Sequence, residues 1–183
     1  MHPGSVVCWI ADSQNNRVLR VTFRGDVHDA PPLVEEFITG IGDPWGVAYH
    51  EGTLIVAERS RHRLSRWSAD TGTLIDVLVE GAAGFADLQG RRARRLQPLE
   101  AIRSQPCVLP EGLRVQDGWA YYCGLASQDM RRVNLATKAW EVRYTLPDGA
   151  ISPGGAQYIV FDLSDGTTGP RGTAFFAAWS VQE

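Results

Sequence analysis

Lysine is almost missing from this chain: Lys138 is the only one, and every other cation is an arginine. Codon bias explains that without any function. Cysteine is nearly as scarce. Cys8, Cys107 and Cys123 form neither a metal-ligand spacing nor an even disulfide framework. Two of them sit inside apolar runs, where a free thiol behaves as a small buried hydrophobe. No run reaches the roughly 18 apolar residues of a membrane span. The start, "MHPGSVVCWIADS", lacks a positive n-region before a long apolar core, so no signal peptide and no membrane partner are expected, and the compartment stays open with a lean towards the cytoplasm.

Catalytic signatures are missing as well. His2, His28, His50 and His62 are dispersed, with no His-x-His pair and no His-Glu-x-x-His. There is no Gly-x-Ser-x-Gly elbow and no phosphate-binding glycine loop. The expectation is therefore no catalytic residue, no metal ligand and no cofactor. Long helical periodicity is nearly absent too.

What is present is ordinary in bulk and distinctive in order. The 183 residues are 44% apolar and 21% charged with a net charge of -3, enough for one globular core and no general advertisement for nucleic acid. Short runs of Val, Ile, Leu, Tyr, Trp and Phe alternate with Gly, Pro, Asp, Asn and Ser, which is an all-β pattern.

These runs repeat. "WIADSQNNRVLRV" from Trp9 aligns with "IVAERSRHRLSRW" from Ile55 and, with one residue added, with "YYCGLASQDMRRV" from Tyr121. Each copy has a small residue (Ala11, Ala57, Cys123), a polar turn and an arginine (Arg17, Arg63, Arg131) that opens a second run. A Pro-x-Gly element precedes two copies, at Pro44 and Pro110, and a worn one starts at Pro153. Ala11 and Ala57 lie 46 residues apart and Ala57 and Cys123 lie 66 apart, the longer interval carrying an insertion. A period of about 40 to 50 residues with four short strands per unit is the signature of propeller blades built as antiparallel meanders. Blades are expected over approximately 5–40, 44–80, 108–146 and, in part, 153–183, with a connector over 81–107. The strands fall short of a full ring. The expected chain is a fragment of a longer protein, an arc completed by self-association, or an open stack covered by a partner.

The middle repeat, "DPWGVAYHEGTLIVAERSRHRLSRWSADTG", with "ADSQNNRVLRV" and "GAAGFADLQG", resembles the NHL-repeat family of β-propellers. The third repeat departs from the family pattern, because Gly124 stands where Asp12 and Glu58 offer a turn carboxylate. Family members often serve as rigid binding platforms, so the resemblance implies a binding scaffold.

Meander connectivity sends the turn after the second strand and the connector between blades to one face of the disc. That face collects Arg59, Arg61, His62 and Arg63, with Arg91, Arg92, Arg94 and Arg95 of "GRRARRLQ". Arg forks suit phosphate or carboxylate, so Arg59, Arg61, His62 and the Arg91–Arg95 cluster are the expected binding residues for a protein or other anionic partner. Trp45, after Pro44, is expected to line the channel mouth. Arg17, Arg63 and Arg131 are expected to bond neighbouring turn carboxylates instead. Two alternatives stand beside the scaffold. One is part of a channel-centred, metal-dependent lactonase or lyase; the other is RNA binding through the basic face, which the net charge disfavours.

Overall fold

The computed structural model describes residues 5–24, 31–82, 99–124, 127, 129–145, 156–161 and 174–178. Four antiparallel sheets follow one another along the chain. The first holds β1 (Val6–Asp12), β2 (Arg17–Phe23) and β3 (Leu33–Ile38). The second holds β4 (Pro44–His50), β5 (Thr53–Glu58), β6 (Arg63–Ser68) and β7 (Leu74–Glu80). After a short helix, α1 (Leu99–Arg103), comes a third sheet of β8 (Pro110–Gln116), β9 (Trp119–Gly124), β10 (Asp129–Asn134) and β11 (Trp140–Thr145). β12 (Ala156–Phe161) and β13 (Ala174–Ala178) pair as a fourth. Seven antiparallel strands lie between Val6 and Glu80 in two sheets, and the all-β meander reading holds. α1 was not expected; five residues inside an arginine-rich connector leave no readable helical period.

Local chemistry sets the turns. Glu51 (φ 43°) with Gly52 (φ 77°), and Asp117 (φ 50°) with Gly118 (φ 74°), take positive φ at both central positions, the geometry of two-residue hairpin turns. The turns between β1 and β2 and between β5 and β6 are single 3-10 turns closed by a left-handed residue, Asn16 (φ 52°) and His62 (φ 53°).

The core lies between sheets. Leu54 and Val56 face the first sheet and pack with Val18, Ile38 and Ile41. Ile55 and Ala57 face the third and pack with Cys107, Ala120, Tyr122 and Val133. β5 is buried on both sides, which is why its sequence is a continuous apolar run. Burying each such side chain contributes roughly 1.5–3 kcal/mol.

The first strands of successive sheets lie side by side: β4 packs against β8, and β8 against β12. Gly46 makes the β4 contact possible, because an added Cβ would stand 2.8 Å from the Leu113 Cβ. β1 corresponds in the repeat to β5 and β9, second strands of their sheets. Among the described residues its other edge has no partner strand. Val6, Ile10 and Val34, at 59%, 47% and 54% exposure, share one face of that sheet, the row Cys8, Val21, Val34 fixing the register.

Candidate functional site

The turns and connectors build one continuous surface by a repeated device. In the first sheet Asn16 Oδ1 accepts the backbone N–H of Asp43 at 2.9 Å. In the second, His62 Nδ1 accepts the backbone N–H of Leu109 at 3.1 Å. Asn16 and His62 occupy the same left-handed place, and Asp43 and Leu109 both precede a Pro-x-Gly element. Each turn thus holds the entry to the next sheet. A backbone N–H only donates, so His62 Nδ1 carries no proton in this arrangement. Burial holds the imidazole pKa below its ordinary value.

Charge locks each turn from inside. Arg17 Nε meets Asp12 at 2.7 Å. Glu58, fully buried, accepts from Arg63 Nε (2.8 Å), Ser65 Oγ (2.6 Å), Arg61 Nη1 (3.2 Å) and the Gly42 N–H (3.0 Å). Arg17 and Arg63 therefore do what their repetition implied. Arg131 differs in position. Opposite Gly124 the ladder places Asp129, where Arg17 and Arg63 stand opposite Asp12 and Glu58. Arg131 sits two residues further on and closes on Asp129 with two 2.7 Å bonds. The carboxylate lost at Gly124 is restored from the facing strand. With its remaining donors Arg131 binds the carbonyls of Arg103 and Gln105, tying the end of α1 to the third sheet.

A charged cluster sits where β4 and β8 begin. Trp45 and Glu111 hold the middle place of the two Pro-x-Gly elements. Arg59 stacks 4.7 Å from the Trp45 ring centre, approaches Asp43 at 3.5 Å and reaches Glu111 Oε1 at 2.8 Å. Trp45 Nε1 donates to Asp43 at 3.1 Å. The Arg59–Glu111 approach is close but misaligned: Arg59 Nε and both Glu111 oxygens are buried without a hydrogen bond. Burial dominates there, offset by the Arg59 charge and reinforced by Asp43, and pushes the Glu111 carboxyl up to about 7.

The expected binding residues divide accordingly. Arg59 is engaged by Asp43 and Glu111. His62 is buried as an acceptor. Arg61 bonds Glu58 and the Gly40 carbonyl, yet its side chain stays 44% exposed. Trp45 lies under Arg59 at the start of the inner strand. Arg91, Arg92, Arg94 and Arg95 fall outside the described residues. Asp43 went unremarked in the sequence, although Asp before Pro and an aromatic is a readable turn signal. The burial of Glu111 had no signal in the sequence, because a glutamate between Pro and Gly looks solvated. A groove of about 910 Å³ opens elsewhere, between the first two sheets, beside Trp9, Tyr49 and Gly52.

No family model and no curated protein matches this sequence. Solved structures do match in shape. Glutaminyl cyclase from Myxococcus xanthus superposes with a TM-score of 0.55 at 17% identity, over 94% of this chain and 63% of that one. A nidogen/laminin complex gives 0.50 at 15% identity, over 87% and 54%. A catalytically inactive virginiamycin B lyase from Staphylococcus aureus, solved with quinupristin, gives 0.50 at 9% identity, over 95% and 53%. The chain spans less than two-thirds of each of these structures. At these identities the likeness is one of fold: the chain has a β-propeller-like architecture, and its sheets are blades.

Proposed function

We propose that the chain is an NHL-like propeller segment working as a non-catalytic binding platform, its turn-and-connector face taking a protein or other anionic partner. The observation that carries this reading is the locking of that face. Charge pairs fix its turns, the first two turns grip the entry to the blade that follows, and Arg61 remains exposed upon it. Binding to such a prefixed surface costs little ordering. Arg131 binds the carbonyls of Arg103 and Gln105 and so ties the end of α1 to the third blade. Self-association through the β1 edge is the second element of the proposal.

Fluorescence anisotropy of a labelled acidic peptide, against a neutral control, tests the reading. The wild-type chain is expected to bind the acidic probe, with affinity at least about tenfold weaker after Arg61→Glu combined with reversal of Arg91, Arg92, Arg94 and Arg95. Equal retention of both probes, or no loss in the variant, would remove the binding face. Preference for single-stranded RNA with a steep salt dependence would replace the protein partner by RNA.

A channel-centred lactonase or lyase is the alternative, and one observation favours it: a buried carboxyl with a near-neutral pKa, beside an aspartate and an aromatic, is a pattern of active sites. Against it, Arg59 already supplies the positive charge that a cation would bring to Asp43 and Glu111. Turnover of lactones dependent on Ca²⁺ or Zn²⁺ would decide for the enzyme.

A further inference from the structure

We infer that the junction between the second and third blades is a proton-operated latch, in which protonation of Glu111 releases the Arg59 guanidinium from the third blade and leaves it to Asp43 on the second. This inference does not depend on any partner of the turn face.

The geometry supplies both positions of the latch. Arg59 stands between two carboxylates on different blades, 2.8 Å from Glu111 and 3.5 Å from Asp43. Its approach to Glu111 lacks hydrogen-bond alignment, so charge alone holds it there. A neutral Glu111 offers no such charge, whereas Asp43 on the second blade is only partly buried and already holds the Trp45 indole N–H beneath Arg59. The buried environment favours the proton on Glu111 near pH 7.

The other groups around the junction do not replace Glu111. Cys123 faces it across the ladder and is held neutral by burial. Glu58 is committed to Arg61, Arg63, Ser65 and Gly42. Glu80 lies opposite Arg63, and Cys107 is buried in the core between the second and third blades. His62 grips Leu109, two residues before Glu111, through an unprotonated nitrogen, so stronger acid loosens the same junction by a second step. Asp129 is bound to Arg131.

Trp45 reports the latch, because its indole N–H bonds Asp43 and its ring lies under Arg59. The experiment is a ¹H–¹⁵N titration of the full chain from pH 8.5 to 5.5, with the Trp45 indole assigned through Trp45→Phe. A sigmoidal shift with a midpoint near 7 is expected, absent in Glu111→Gln and retained in His62→Asn. A flat Trp45 signal, or an unchanged midpoint in Glu111→Gln, overturns the latch. Should Glu111→Gln fail to fold, the ¹³C carboxyl resonance of Glu111 in the wild type decides: titration near the ordinary glutamate value sinks the proposal.

Discussion

Two buried groups at one junction respond to acid in opposite directions. The pKa of Glu111 is raised in the folded chain, so its contribution is fully present below the ordinary glutamate range and is lost as pH rises through about 7. That of His62 is lowered, so its contribution is present above the ordinary histidine value and is lost as pH falls below it. Glu111→Gln should therefore gain thermal stability relative to wild type as pH climbs from 4.5 to 8. His62→Asn, which installs the residue the first blade uses at Asn16, should lose less than wild type between pH 7 and 5. Melting curves across pH check both, and parallel curves for variants and wild type would contradict the assignments. At Asp129, fully buried against Arg131, replacement by Ala strands a guanidinium and should cost about 3–5 kcal/mol in chemical denaturation. The recurring arginine–carboxylate pairs were legible from sequence, because repetition at one position points to structure before function. The exchange of places at Asp129 and Arg131 was not. One extra turn residue shifts the alignment, and the ladder register alone shows which carboxylate stands opposite Gly124.

At the level of strands, the Pro-x-Gly element does three jobs that its spelling shows only in part. Proline opens the strand, the middle residue (Trp45 or Glu111) meets Arg59 of the second blade's turn, and Gly46 lets β4 approach β8. Gly46→Val should drive a side chain into Leu113 and cost about 1–3 kcal/mol by overpacking. The same substitution at Gly52 meets no neighbour, although its positive φ adds backbone strain, so Gly52→Asn, tolerant of that conformation, is the fair control. Denaturation midpoints of the two variants separate packing from backbone. The strands themselves were readable, because four short apolar runs between turn residues mark β4 to β7. The sequence did not show which runs face both ways. A continuous apolar stretch such as Leu54–Ala57 fixes burial without saying that alternate residues serve different blades.

For the molecule as a whole, the first blade sets the solution behaviour. A β1 edge without a partner strand among the described residues, beside exposed Val6, Ile10 and Val34, is a template for further pairing. Light scattering of the purified chain should show a mass that rises with concentration, and Ile10→Lys should bring it down towards 20.1 kDa. A monomer at every concentration would show that this face needs no cover. The turn clamps and the tight β4–β8 contact concentrate order near the axis, while the peripheral strands keep Leu74, Ile75, Trp140 and Val142 in solvent. Amide deuteration should consequently begin in the outer strands β7 and β11 and reach the fully enclosed segment of β5 last, so that the oldest protons in the molecule mark the strand that serves two cores at once.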